Sequence, residues 1–266
     1  MANGMLIDTT RCIGCRGCQV ACKSWNELPA GRTGFSADGA NPPHLDANNF
    51  TRVLFAETAL PGGGTRWSFA KRQCMHCLQP ACASVCPVAA LVKTASGPVI
   101  YRDDRCIGCR VCMLACPFDV PKYEWGARVP YVRKCTFCAD RQAAGKKPAC
   151  ATTCPTEALT FGDRNELLAE AHRRIEATPG KYHPVVYGER TGGGTSMLYL
   201  SALPFEMLGI VHRGLSDIGD FPHGRSAQEW NARVPWVAAG VGTLALGLYH
   251  LNKRRAEVQA KERKED

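Results

Sequence analysis

Sixteen cysteines are the feature that most constrains this 266-residue chain, because they fall into four groups of four with none left over. The groups are Cys12, Cys15, Cys18 and Cys22; Cys74, Cys77, Cys82 and Cys86; Cys106, Cys109, Cys112 and Cys116; and Cys135, Cys138, Cys150 and Cys154. Thiols packed this closely cannot all reach distant partners with good disulfide geometry. The grouping therefore indicates metal binding rather than a disulfide framework.

The spacing within the groups favours iron–sulfur clusters over zinc. In the first and third groups, three cysteines recur with two residues between them, and a fourth follows after three more. Zinc ribbons usually use two Cys-x2-Cys pairs separated by a longer loop. The triple-plus-one run is typical of bacterial ferredoxins, in which the first three thiolates bind one cluster and the fourth binds its neighbour. We therefore expect four [4Fe-4S] clusters.

The charge balance points away from nucleic acid as a partner. The formal charge is +9, but each oxidised cluster with four thiolates carries about −2, so the loaded protein would carry about +1. Ten basic residues crowd around the cysteines, and we interpret most of them as compensating cluster charge. They are Arg11, Arg16, Lys23, Lys71, Arg72, Arg105, Arg110, Arg133, Lys134 and Arg141.

An internal repeat predicts the fold class. Residues 11–22 read RCIGCRGCQVAC and residues 105–116 read RCIGCRVCMLAC, while CPVAAL at 86–91 matches CPTEAL at 154–159. Each compact cysteine loop follows a short apolar strand, predicted at residues 5–7 or 99–101, and each CP segment leads into a helical turn and a β-like pair. Strand, loop, helix and strand form a ferredoxin half-unit. Four half-units predict two ferredoxin domains in an α+β fold.

Three further segments have their own local predictions. An alternating stretch at 51–57, a turn at 61–64 and a second stretch at 67–71 predict a β-hairpin. Residues 164–177 predict a packing helix, with apolar side chains at helical spacing and Pro179 and Gly180 beyond its end. The glycines at 192–194 indicate a turn, since no Lys-Ser/Thr pair follows as in a phosphate-binding loop.

The C-terminal region is predicted to anchor the chain in a membrane. Residues 234–252 carry no charged side chain, and Trp236 and Tyr249 lie near their ends. Basic residues are concentrated after this span, so the positive-inside rule places the tail in the cytoplasm and the cluster domains in the periplasm. No secretory or twin-arginine signal precedes Cys12, so we expect export together with a partner that carries one.

The cysteine motifs resemble the four-cluster iron–sulfur β subunits of molybdopterin oxidoreductases. The segments that carry the likeness include CIGCRGCQVACKSWN, KRQCMHCLQPACASVCP, CIGCRVCMLACPFDVPKYEW, RKCTFCADR and PACATTCPTEAL. The ACKSWN segment favours the iron–sulfur subunit of membrane-bound formate dehydrogenase. The corresponding subunit of nickel–iron hydrogenase is also similar. The resemblance covers nearly the whole chain.

Spacing alone leaves open whether the first group pairs with the second in tandem or with the fourth in a nested arrangement, and the resemblance implies nesting. Cluster 1 would then be held by Cys12, Cys15, Cys18 and Cys154, and cluster 2 by Cys22, Cys135, Cys138 and Cys150. Cluster 3 would be held by Cys74, Cys77, Cys82 and Cys116, and cluster 4 by Cys86, Cys106, Cys109 and Cys112. Some relatives replace one cysteine by tryptophan, but all sixteen are present here.

Nesting also sets the expected domain boundaries. The first ferredoxin-like domain comprises residues 1–35 and 128–165, and the second comprises residues 72–127. Between them lies the hairpin insertion, 36–71. A helix and connector at 166–232, a single transmembrane helix at 233–252 and a charged tail at 253–266 complete the chain.

The resemblance implies an electron-transfer subunit that is not catalytic alone. Its partners would be a catalytic subunit with a molybdenum or tungsten pterin, a membrane cytochrome b or quinone-binding subunit, and the lipid bilayer, but no nucleic acid. The alternatives are a hydrogenase or another molybdopterin enzyme as partner, a soluble polyferredoxin, or a zinc-dependent binding module. We expect no catalytic residue. His76, between Cys74 and Cys77, is interpreted as a residue beside a cluster or at the surface.

Overall fold

A computed structural model describes residues 2–36, 39–59, 63–210 and 222–265. Its strands are β1 (Asn3–Asp8), β2 (Arg52–Ala59), β3 (Thr65–Arg72), β4 (Leu91–Lys93), β5 (Val99–Tyr101), β6 (Lys122–Tyr123), β7 (Val132–Arg133), β8 (Leu159–Asp163) and β9 (Met197–Leu200). Its α-helices are α1 (Gly17–Trp25), α2 (Ala81–Ser84), α3 (Val111–Ala115), α4 (Ala139–Ala143), α5 (Ala149–Thr152), α6 (Arg164–Ala177) and α7 (Pro222–Glu265). Most elements near the cysteines are short, because the cysteine loops occupy the chain between them.

A three-stranded sheet with the order β8-β1-β9 forms the centre of the fold. β1 runs antiparallel to β8, with Met5 opposite Phe161, and parallel to β9, with Met5 opposite Met197. Both faces of β1 are covered, so Met5 and Leu6 are fully buried. The sheet brings the strand before the first cysteine group beside the strand after the fourth group.

A two-stranded sheet joins the other two cysteine groups. β4 follows the second group and pairs antiparallel with β5, which precedes the third group, and Leu91 lies opposite Tyr101. The predicted strands at 5–7 and 99–101 are thus confirmed within β1 and β5. The backbone of Asn3 donates a hydrogen bond to the Ser96 carbonyl, 2.8 Å away, so the β4–β5 turn contacts the start of β1.

The predicted β-hairpin is confirmed as β2 and β3, which pair antiparallel along their full length from Arg52↔Arg72 to Ala59↔Thr65. Residues 61 and 62 of its predicted turn lie outside the described residues. Phe55 packs against the rings of Phe69 and Trp67, at centroid distances of 5.5 and 5.3 Å. The inner ends of the two strands are buried and the outer ends are exposed. The hairpin therefore extends from the core and presents its inner end to the cysteine loops.

Helix α6 confirms the prediction for residues 164–177. The Asp163 carboxylate caps its first turn by accepting hydrogen bonds from the backbone N–H groups of Asn165 and Glu166. Leu167 and Ala171 are buried against the central sheet. Arg174 reaches the buried carboxylate of Asp8 at 3.1 Å and ties the helix to the end of β1.

The turn predicted at residues 192–194 is also confirmed, because all three glycines have positive φ angles of 63°, 78° and 88°. This turn precedes β9, which the sequence analysis did not predict. Met197, Leu198, Tyr199 and Leu200 are all buried, so the strand shows none of the alternation that identifies a half-buried strand.

The prediction of a membrane anchor at residues 233–252 is wrong. In the described part of the chain, no helix contains a stretch both long and apolar enough to span a bilayer. Within α7, Gly240, Gly242, Thr243, Gly247 and His250 interrupt the apolar residues and lower their mean hydropathy. The predicted orientation, with periplasmic cluster domains and a cytoplasmic tail, depended on this span and is therefore wrong as well. Residues 211–221 of the predicted connector lie outside the described residues.

Candidate iron–sulfur sites

The two compact cysteine loops have the same backbone geometry. Gly14 and Gly108 have φ angles of 69° and 68°, and Arg16 and Arg110 have φ angles of 60° and 62°. These are left-handed conformations that glycine adopts freely and arginine does not. The shared deviation at equivalent positions shows that the sequence repeat is also a structural repeat. In both loops it curls the chain so that successive thiols face the same side.

The second and fourth groups form a second equivalent pair. His76 and Phe137 each occupy the third position of a Cys-x-x-Cys loop, with φ angles of 48° and 57°. At the fourth position of the two CP segments, Ala89 and Glu157 also have matching φ angles of 51° and 52°. The chain is therefore built from two kinds of cysteine loop, each used twice.

Three cavities are each lined by four cysteines. One is lined by Cys12, Cys15, Cys18 and Cys154. The next is lined by Cys22, Cys135, Cys138 and Cys150. The last is lined by Cys86, Cys106, Cys109 and Cys112. In each cavity the cysteines come from two different groups, the first and fourth groups in two cavities and the second and third groups in the last.

The remaining four cysteines also influence one another electrostatically. Burial raises the pKa of Cys77, and the negative charges of Cys74 and Cys116 raise it further. Burial likewise raises the pKa of Cys82, again with Cys116 and Cys74 contributing. These electrostatic interactions place four cysteines close together in the fold: Cys74, Cys77, Cys82 and Cys116.

All sixteen cysteines are free thiols. Over the ranges that the structure describes, no three His, Cys, Asp or Glu side chains converge closely enough to hold a single metal ion. The thiols instead surround cavities, which is the form expected for ligands of a multi-atom cluster. Soft thiolates are the usual ligands of iron–sulfur clusters, so the residues present fit [4Fe-4S] groups.

Backbone amides point at several of the thiols. The N–H of Ala90 donates to Cys86 Sγ at 3.2 Å, and the N–H groups of Gly108 and Phe137 donate to Cys106 and Cys135 at 3.4 Å. Such hydrogen bonds stabilise added negative charge and raise a cluster's reduction potential. Binding a cluster must also displace protons, because burial raises the pKa of Cys18 and Cys22 to about 12 despite the opposing charge of Lys71.

The predicted charge-compensating residues separate into a buried and an exposed set. Lys71 and Lys134 are only 3% and 4% exposed. Others contact acidic or aromatic side chains: the Arg110 guanidinium lies 4.6 Å from the ring centroids of both Tyr123 and Trp125, and that of Arg141 lies 4.4 Å from the ring of Trp25. Charge compensation stays a prediction for the set as a whole, and the buried lysines are its strongest members.

His76 is fully buried, which settles the choice between a surface residue and one inside the fold. Its Nδ1 accepts a hydrogen bond from the Val99 N–H at 2.9 Å. Burial lowers the pKa of His76, and the nearby charges of Lys134, Lys93 and Lys71 lower it further, so its imidazole is neutral. The sequence analysis did not identify the buried polar chain of Gln73 and Tyr199 that lies nearby.

The cysteine-rich part of the chain matches known families of iron–sulfur proteins. Two family models, both described as a 4Fe-4S dicluster domain, match residues 11–90 and 65–164, and together these ranges contain all sixteen cysteines. A protein of Nitratidesulfovibrio vulgaris is 42% identical over an alignment of 269 residues. The alignment covers 98% of this chain and 70% of that protein.

Two relatives carry functional names. The hydrogenase-2 operon protein HybA of Escherichia coli O157:H7 is 37% identical over 238 residues, which cover 78% of this chain and 72% of HybA. The iron–sulfur subunit of the nitrate-inducible formate dehydrogenase of Escherichia coli K12 is 39% identical over 198 residues, which cover 73% of this chain and 66% of that subunit.

Proposed function

We propose a function for this chain from its family, since it belongs to the 4Fe-4S dicluster iron–sulfur proteins that include formate dehydrogenase iron–sulfur subunits and HybA. Its role is electron transfer within an oxidoreductase complex. Three cavities, each lined by four thiols from two different groups, are the observation that carries this conclusion. A bound [4Fe-4S] cluster supplies one-electron redox chemistry, and the chain supplies its ligands and surroundings.

The nested ligand sets implied by the resemblance are our proposal for four clusters. The cysteines that line the three cavities coincide with the sets for clusters 1, 2 and 4. The charge coupling of Cys77 and Cys82 with Cys74 and Cys116 supports the set for cluster 3. Pairing of β1 with β8 and of β4 with β5 supports the corresponding domains, 1–35 with 128–165 and 72–127.

The exposed cysteines suggest where the partners bind. Cys15 and Cys109 are exposed, and one belongs to each proposed ferredoxin domain. An exposed isoleucine precedes each of them by two residues, since Ile13 is 59% exposed and Ile107 is 65% exposed. Exposed apolar residues beside a redox site are suited to a protein interface. We propose that a pterin-containing catalytic subunit binds at Cys15 and a cytochrome b or quinone-binding subunit at Cys109.

A formate dehydrogenase is the favoured catalytic partner. A hydrogenase is the second candidate, because the match to HybA is longer than the match to the formate dehydrogenase subunit, 238 against 198 residues. What differs between the two candidates is the electron donor, and the iron–sulfur chain has the same role in both.

The test is to isolate the chain with its native partners under anaerobic conditions and record EPR spectra after adding formate or hydrogen. Formate-dependent [4Fe-4S] signals are expected, and the signals should disappear when the tagged chain carries Cys15→Ser, which removes a proposed ligand at the donor end. Hydrogen-dependent signals without a response to formate would replace formate dehydrogenase by hydrogenase. No reduction by either donor, in a complex that dithionite reduces, would contradict both assignments.

A further inference from the structure

A lysine side chain is buried between two of the cysteine-lined cavities. Lys71 lies near the inner end of β3 and is 3% exposed. Its Nζ donates a hydrogen bond to Oε1 of Gln73 at 2.6 Å. The amide group of Gln73 is neutral, so this hydrogen bond does not balance the charge of the lysine. Burying an ammonium group without a compensating charge is costly. The position therefore requires negative charge from another source.

The two cavities supply that charge. Lys71 lines the cavity of Cys12, Cys15, Cys18 and Cys154 and also the cavity of Cys22, Cys135, Cys138 and Cys150. Cys18 of the first cavity and Cys22, Cys135 and Cys150 of the second lie near enough to Lys71 to interact with its charge. A thiolate-bound cluster in either cavity would therefore place negative charge beside the Lys71 amine.

Buried neighbours fix the position of Lys71. The hydroxyl of Tyr199 donates to the Lys71 carbonyl at 2.8 Å and accepts a hydrogen bond from Nε2 of Gln73 at 3.3 Å. Tyr199 is 1% exposed and lies on β9 in the central sheet. Gln73 therefore holds both the ammonium group and the tyrosine, and it connects Lys71 to the most buried part of the fold.

We propose that Lys71 is a shared counter-charge that raises the reduction potentials of clusters 1 and 2 together. This inference rests on the proposed function and its ligand sets. A positive charge in a region of low dielectric constant stabilises the reduced, more negative form of a nearby cluster. Because one ammonium group serves both cavities, its removal should lower both potentials and leave clusters 3 and 4 at their own values.

The test uses Lys71→Met, which keeps the length of the side chain and removes its charge, and Lys71→Arg, which keeps the charge. Midpoint potentials are measured by EPR-monitored redox titration of the complex, with signals assigned by Cys154→Ser for cluster 1 and Cys135→Ser for cluster 2. In Lys71→Met the equilibrium constants for reduction of these two clusters should fall roughly tenfold or more. In Lys71→Arg they should stay near the values of the unmodified chain.

Lys93→Met is the matched control. Lys93 Nζ donates a hydrogen bond to the carbonyl of His76, between Cys74 and Cys77, at 2.9 Å, so its removal should lower the potential of cluster 3 and leave clusters 1 and 2 unchanged. Unchanged potentials in Lys71→Met with a full iron content would overturn the role of Lys71 while leaving the proposed function intact. An unmodified chain without [4Fe-4S] signals would instead overturn the proposed function, and the role of Lys71 with it.

Cluster loss in Lys71→Met would be informative as well. Lys71→Gln then provides a neutral side chain that can still form hydrogen bonds. Loss of clusters in both neutral variants with retention in Lys71→Arg supports a requirement for charge at this position. Loss in all three variants overturns the proposal, because the shape of lysine rather than its charge would then be essential.

Discussion

The imidazole of His76 lies against the phenyl ring of Phe137, with the ring centroids 5.1 Å apart. Both residues are buried, and both occupy the third position of a Cys-x-x-Cys loop. His76 belongs to the second cysteine group and Phe137 to the fourth, so the contact joins loops of the two proposed ferredoxin domains. His76 stands between two of the proposed ligands of cluster 3, Cys74 and Cys77, and Phe137 stands between two of those of cluster 2, Cys135 and Cys138.

The first prediction concerns the hydrogen bond at this contact. His76→Phe should keep the aromatic stacking but leave the buried Val99 N–H without its acceptor, at a cost of about 1–3 kcal/mol. The measurement is the urea concentration at which the cluster absorbance is half lost under anaerobic conditions, which should decrease. His76→Asn, which can still accept a hydrogen bond, should lose less. Equal midpoints for His76→Phe and the unmodified chain would show that the bond contributes nothing.

The second prediction compares glycines in the two repeated loops. A Cβ at Gly14 would lie 2.6 Å from the Phe69 ring, whereas a Cβ at Gly108 would lie 3.0 Å from the Tyr123 hydroxyl. Both positions have positive φ, which costs about 1–2 kcal/mol for alanine. Gly14→Ala should therefore destabilise the protein more than Gly108→Ala, and its EPR change should be confined to cluster 1.

Gly64→Ala is the control for this comparison. Its φ is +93°, and none of the residues that the structure describes lies within 4 Å of an added Cβ, so it reports backbone strain without steric overlap. The melting temperatures of the three variants should follow the order Gly64→Ala, Gly108→Ala, Gly14→Ala from highest to lowest. Equal melting temperatures for the Gly14→Ala and Gly64→Ala proteins would contradict the close contact between the Gly14 loop and the β2–β3 hairpin.

The third prediction concerns the exposed apolar residues beside Cys15 and Cys109. Ile13→Glu should slow reduction by the catalytic subunit roughly tenfold or more, because it places a charge in the proposed interface. Ile107→Glu should leave that step intact and slow electron transfer to the second partner instead. Val185→Glu, at an exposed position outside the cysteine groups, should change neither rate. Stopped-flow measurement of both steps checks this, and equal effects of all three variants would contradict the two-ended arrangement.

The fourth prediction distinguishes nested from tandem pairing. Cys18→Ser and Cys154→Ser should abolish the same EPR signal, because both residues line one cavity. In a tandem arrangement, Cys18 would instead share a cluster with Cys86, which lines a different cavity here. Matching spectra for Cys18→Ser and Cys86→Ser would therefore refute the proposed ligand sets.

Local signals in the sequence were sufficient to predict several secondary-structure elements. The apolar spacing within residues 164–177, with Pro179 and Gly180 beyond its end, identified α6, and the alternation around a glycine-rich turn identified the β2–β3 hairpin. The repeated cysteine motifs predicted repeated loops, which Gly14 and Gly108 confirm by their nearly equal φ angles. In each case the residues that determine the structure are close together in the sequence.

Features that depend on distant contacts could not be predicted in this way. In the sequence, nothing distinguished Lys71 from the nine other basic residues near the cysteines. Its burial depends on cysteines from the first and fourth groups and on Tyr199 from β9. Strand β9 is buried on both faces, so its apolar run lacked a period. The membrane prediction failed for a different reason, because absence of charge was taken as sufficient while glycine, threonine and histidine lowered the mean hydropathy of the described helix.

The central claim is that the sixteen cysteines hold four [4Fe-4S] clusters. The most direct measurement is the iron and acid-labile sulfide content of the anaerobically purified protein, combined with quantitative EPR of the dithionite-reduced sample. We predict about sixteen iron and sixteen sulfide atoms per chain and reduced spins for four clusters. A fully loaded protein with clearly fewer iron atoms, or one that contains zinc and no sulfide, would contradict the claim.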